Sequence, residues 1–180
     1  MSGGHTSSRV GEFLRAGHLP TLLTSLLYFD FCFAVWVLNG AMAPFISEEF
    51  GLTPAQKGFM VSVPVIAGAL MRFPLGLLAQ YIGRKWAAQI EMGMICIGMG
   101  AGFLFVHTYA GVLAMGVILG VAGASFGVAL SLGSGWYPAK YKGLAMGIAG
   151  AGNSGAVLAV LFAPTLAAEY GWRAVYGIGI

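Results

Sequence analysis

Three ionisable side chains, Asp30, Arg72 and Glu91, and the amide of Asn153 stand inside apolar runs of the sequence and are the candidates for any chemistry performed there. A charge in hydrocarbon is expensive, so each ionisable one marks a functional position until a partner explains it. Arg72 lies about 11 residues, or ~16 Å of helix, from the nearest turn at Gly83, too far for its side chain to reach water. Its guanidinium must face a polar cavity, an anion or a carboxylate, and the flat five-donor fork suits a small planar oxyanion. Asp30 falls at similar depth in an earlier run. It is either a structural partner for Arg72 or a carboxylate that takes up and releases protons. Glu91 follows Arg84 and Lys85 by about two helical turns and reads as their ion-pair partner. Asn153 is a lone amide in hydrocarbon and needs partners; it is glue between helices or a hydrogen-bond donor to a substrate.

The elements that hold these residues are membrane spans. Of the 180 residues, 58% are apolar and 8% charged, against roughly 25% charged in a soluble domain. Crossing about 30 Å of hydrocarbon takes roughly 20 helical residues. Five stretches of that length appear, near Thr21–Phe45, Gly58–Ile82, Trp86–Val106, Ala110–Gly135 and Gly143–Ala168, and a sixth begins near Ala174. The fold class is therefore all-α membrane protein. Residues 1–19 form a polar tail, and residues 20–180 a transmembrane helix bundle that reads as incomplete. The tail has no apolar core and is no signal peptide. Trp86, Trp136, Tyr137 and Trp172 fall at span ends, where amphipathic rings prefer the interface; Trp36 lies inside the first span.

The linkers between spans are short and polar, which makes sequential spans antiparallel neighbours. The longest is expected at Ile46–Lys57. Arg9 and Arg15, then Arg84 and Lys85, then Lys140 and Lys142 all fall on one side, which places the amino terminus in the cytoplasm. Gly143, Gly147, Ala151 and Gly155 recur at four-residue steps and are expected to form one continuous small-residue face on the fifth span, widened by Gly150 and Gly152. Gly116, Gly120 and Gly123 make a similar stripe in the fourth. Pro64 and Pro74 flank Arg72 and are expected to bend the second span.

Other classes of function find no residues to stand on. His5, His18 and His107 are scattered through polar segments, with no metal-ligand set, nucleophile constellation or phosphate loop. No enzyme activity, metal or cofactor is expected. The net charge of +3 is spread thinly and forms no basic stripe of the kind nucleic acid needs. Cys32 and Cys96 both fall in apolar runs, as small packing residues.

The segment Gly76-Leu-Leu-Ala-Gln80-Tyr-Ile-Gly83-Arg84-Lys85 resembles the loop motif of the major facilitator superfamily, with Gln80 where the motif has an acid. Within that superfamily, the fifth-span run Gly147-Ile-Ala-Gly150-Ala-Gly152-Asn153-Ser-Gly155 resembles the glycine-rich signature of the nitrate/nitrite porters. Arg72 falls where that family has its second-helix anion-binding arginine. The first-span run from Phe29-Asp30-Phe31 to Ala43-Pro44-Phe45 is similar to its bacterial members as well.

The resemblance implies a twelve-helix fold in two six-helix halves, of which this chain is the first five helices and the start of the sixth. It implies transport of nitrate or nitrite by alternating access across the inner membrane, with Arg72, Asn153 and Phe126 at the substrate; coupling stays open between proton symport, for which Asp30 is the candidate carboxylate, and nitrate/nitrite exchange. The missing six-helix half is expected in the same chain or in a partner. Two alternatives stay open: transport of another small anion such as a carboxylate, and a non-transporting half-protein that needs a partner chain.

Overall fold

The structure, a computed structural model, describes residues 11–180. Arg9, His5 and most of the polar tail lie outside the described residues. Residues 11–16 form a short helical turn whose Phe13 stacks on Tyr137, with ring centroids 4.8 Å apart, while Glu12 pairs with Lys140 at 2.9 Å. The Tyr137 hydroxyl is buried without a hydrogen-bond partner, and that burial raises its pKa.

Eight helices follow: α1 (Leu19–Phe50), α2 (Pro54–Tyr81), α3 (Arg84–Phe105), α4 (Tyr109–Gly120), α5 (Ser125–Ser134), α6 (Ala139–Gly150), α7 (Gly155–Tyr170) and α8 (Trp172–Ile178). Helix satisfies every backbone group within its own segment, which hydrocarbon demands. Single-turn 3-10 segments, Val121–Ala124 and Ala151–Ser154, join α4 to α5 and α6 to α7, so each pair runs as one span. Five helical stretches of the described residues are long and apolar enough to cross a membrane.

The span boundaries fall close to their expected positions, except at the first linker. Residues Ile46 to Phe50 continue α1, and α2 already begins at Pro54, which leaves three residues between them in place of the expected twelve-residue link. The stop and the start are both local. Gly51 adopts φ +60°, which ends a helix cheaply only without a side chain. Thr53 and Gln56 then form a reciprocal capping box, with Pro54 in the first turn. On the opposite side, Gly83 at φ +87° turns α2 into α3.

The first span runs through the centre. α1 packs against α5, α7 and the 3-10 turn at Ala151–Ser154, while α2 packs on α4 and α3 on α4 and α8. Phe29, Met42, Ile46, Met60, Ile95, Met99, Leu119 and Tyr176 are fully or almost fully buried between them. Close approach rests on absent side chains. A Cβ at Gly68 would stand 2.8 Å from the Gly120 carbonyl, so the second and fourth spans meet backbone to backbone. One at Gly152 would stand 2.7 Å from the Leu26 carbonyl, and one at Gly155 would run into the carbonyl of Asp30.

The expected four-residue face of the fifth span does not form. Between Gly143 and Gly155 the buried residues are Ala145, Ala149, Gly152 and Gly155, whereas Gly143 and Gly147 are exposed with nothing within 4 Å of an added Cβ. Four-residue steps drift by about 40° each on a regular helix, and the 3-10 turn adds roughly 80° more over its four residues. Gly155 therefore faces away from Gly143.

Candidate anion site

Arg72 is on the exposed side of α2, and its Nε donates to the Gly123 carbonyl at 3.3 Å, in the 3-10 turn between α4 and α5. That bond leaves both terminal nitrogens of the fork without a protein partner among the described residues. The turn is held from its other side by Trp36, whose indole lies against Gly123 and donates to the Pro64 carbonyl at 3.0 Å. Pro64 thus supplies an acceptor inside α2, and the helix runs on without a break through Pro64 and Pro74.

Asp30 does not pair with Arg72. Its Oδ1 accepts from the Ser154 hydroxyl at 2.6 Å, and the two ion pairs of the described residues are Glu12–Lys140 and Glu49–Arg173. The structural-pair expectation fails because Asp30 faces the fifth span, where Gly152 and Gly155 admit its backbone. With no carboxylate against it, the positive charge of Arg72 is uncompensated among the described residues.

Asn153 is in the second 3-10 turn, next to Ser154, with its amide exposed and without a protein partner among the described residues. It does not serve as glue within the described chain. The two 3-10 turns thus carry the two features a small anion needs: one carbonyl aims the guanidinium, and the other turn presents an amide. No hydrogen bond joins Arg72 to Asn153. Both turns pack against α1, with Trp36 at the first and Asp30 at the second.

Phe126 follows the Arg72 anchor by three residues and is 45% exposed. Its ring centroid is 5.6 Å from that of buried Phe29, which continues through Phe33 at 5.3 Å to Trp36 at a further 5.1 Å. An aromatic row therefore runs along α1 from Phe126 to the turn that holds Arg72. Rings of this kind offer flat faces to a planar group.

The loop motif builds a separate feature at the far end of α2. Gly76, Gln80 and Arg84, with Ala79, Gly127, Val128 and Ser131, line a cavity of about 490 Å³. Arg84 donates to the Ser131 carbonyl at 3.1 Å and Lys85 is exposed. Gly83 provides the positive-φ turn.

Glu91 also departs from its expected surroundings. It is not an ion-pair partner of Arg84 or Lys85 but is fully buried, and accepts a hydrogen bond from the Tyr28 hydroxyl of α1. Helical side chains lean toward the amino terminus, so Arg84, in the first turn of α3, reaches away from Glu91 and bonds Ser131. Sequence reasoning also missed a latch at the opposite end. Arg173 of α8 binds Glu49 through two nitrogens at 2.5 and 3.1 Å and the Val106 carbonyl at 2.6 Å, while Trp172 donates to Glu49 at 2.7 Å. The Trp172-Arg173 pair opening α8 was a signal for an interfacial anchor, but its partner is more than a hundred residues away.

The probable nitrate transporter NarT of Staphylococcus aureus, strain JH9, is 33% identical over 142 residues, which cover 78% of this chain and 36% of the relative. The same protein from strains Newman and USA300 matches equally. The chain thus spans about a third of the length of these curated relatives. The model of the Major Facilitator Superfamily matches residues 24–180. With five membrane-capable spans, two of them broken at the candidate site, and a family match over most of its length, this multi-pass membrane chain belongs to the Major Facilitator Superfamily.

Proposed function

We propose that the chain is the amino-terminal part of a secondary transporter that moves nitrate, nitrite or both across the cytoplasmic membrane by alternating access, with its amino terminus in the cytoplasm. The observation that carries this reading is Arg72: a guanidinium in the middle of a membrane span, aimed by the Gly123 carbonyl and left with its paired terminal N–H groups uncommitted. A planar oxyanion neutralises that charge and accepts two parallel hydrogen bonds from it. Asn153 adds a further hydrogen bond, and Phe126 walls the site. The similarity to nitrate transporters favours nitrate over a carboxylate, which the same fork would also bind.

Transport requires the other half of the fold, as continuation of the chain or as a partner. Gly143 and Gly147 offer that half a surface of close approach, since they are open within this chain. Rocking of the two halves about a site at the midplane then exposes the anion to each side in turn. Residues 1–19 act as a cytoplasmic tail and residues 20–180 as the helix bundle.

The test is competition. In vesicles containing this chain together with the remainder of the fold, labelled nitrate uptake should be inhibited by nitrite at comparable concentrations and by formate only weakly. Preferential inhibition by formate would shift the substrate to carboxylates. Absence of uptake of any of the three would overturn the transport reading.

A further inference from the structure

The interior of the bundle holds one acid that the anion site does not use. Glu91 of α3 is 0% exposed, its Oε2 accepts from the Tyr28 hydroxyl, and its Oε1 has no hydrogen-bond partner. The ionisable groups that face it are Tyr28 and Cys32 from α1; Cys32 in turn has the Ser125 hydroxyl of α5 and Cys96 of α3 near it. Every cation on the elements packed around α3 is engaged elsewhere or lies at a surface. Arg72 of α2 bonds Gly123, Lys57 is at the start of α2, and Arg173 of α8 pairs with Glu49. Asp30, by contrast, is only half-buried and has a hydroxyl donor in Ser154.

An ionised Glu91 would therefore be a fully buried charge inside the bundle, with one oxygen lacking a protein partner and no cation against it among the described residues. A neutral carboxyl group fits the same surroundings: its carbonyl oxygen accepts from Tyr28, and Oε1 carries the proton. We propose that Glu91, held by Tyr28, is a proton-binding site inside the bundle, and that its carboxyl group, not Asp30, carries the proton coupled to anion movement. The second clause rests on the transport reading above; the first does not.

The placement gives the proton a mechanical consequence. The Tyr28–Glu91 bond ties α1 to α3, and α1 is the helix that packs both 3-10 turns of the anion site. With the proton on, α1 and α3 stay closed together. Its loss puts a charge between them, which favours a state in which water or a cation reaches Glu91. One proton binds and one is released per cycle, with no covalent change.

Infrared spectroscopy of the chain in lipid vesicles tests the site itself. At neutral pH the carbonyl stretch of a protonated carboxyl group is expected in the wild type and absent in Glu91→Gln, whose amide has the same shape. Tyr28→Phe should shift that band in frequency by removing its hydrogen bond, which assigns the band even if Glu91→Gln fails to fold. No such band in the wild type, or a band that both variants leave unaltered, overturns the proposal. Coupling is read in vesicles holding the complete transporter: nitrate entry should bring protons with it in the wild type and lose them in Glu91→Gln. Proton entry retained in Glu91→Gln overturns the carrier role. A wild type that takes up no nitrate contradicts the transport reading instead and leaves the infrared result to judge the proton site.

Discussion

In the fourth span, a side chain added at Gly120 would stand 2.8 Å from the Pro64 carbonyl, and one at Gly123 2.5 Å from the Trp36 indole nitrogen. At Gly143 and Gly147 of the fifth span it would meet nothing within 4 Å. The two spans have similar glycine content and opposite surroundings: two-thirds of the fourth span's apolar window is buried in the bundle, and about a fifth of the fifth's. A glycine stripe in a membrane helix thus has two uses. In the fourth span it brings backbones together inside the bundle and aims Arg72. In the fifth it packs at Gly152 and Gly155, on the Asp30 backbone, and is open at Gly143 and Gly147.

The largest effect should come from filling the packed part. Gly155→Val sets a branched side chain against the Asp30 backbone, where no rotamer relieves it, and overpacking of this kind costs about 1–3 kcal/mol or more. The expected result is an aggregated or early-melting chain in detergent. A melting curve like the wild type's would mean that α1 and α7 are further apart than they stand here. Asn153→Ala should leave that curve unchanged and weaken anion binding by about 1 kcal/mol, roughly fivefold, as the loss of a single hydrogen bond does. Binding isotherms on the complete transporter measure this. If stability falls and binding does not, Asn153 is helix glue after all. Gly147→Ala should move stability of the chain by no more than about 0.5 kcal/mol, since the added methyl group meets open space. Transport by the complete protein should suffer if the other half packs there, and a matched pair of melting and uptake assays separates the two effects.

The spans could be read from the sequence because hydrocarbon permits only long apolar helices. Their ends fell within a few residues of expectation at every linker but the first. The first linker was misjudged because Glu48 and Glu49 look like loop residues, yet Gly51 and the Thr53–Gln56 box set the ends of the helices. Arg72 stood out because a charge inside an apolar run is rare, but its anchor on a backbone carbonyl leaves no mark in the sequence. The 3-10 turns were equally invisible, and the one in the fifth span adds to the ordinary drift of four-residue steps to turn an even glycine spacing into two differently facing stretches. Glu91 was given to neighbours in sequence when its partner, Tyr28, comes from another helix; spacing along one helix says nothing about what a second helix brings.

The central claim is that the Arg72 fork binds a planar anion, and nitrate binding to Arg72→Lys in the complete transporter tests it most directly. Lysine keeps the charge but not the paired donors, so affinity should fall by roughly tenfold or more, with uptake falling alongside it. Unchanged affinity and unchanged uptake would contradict the bidentate site.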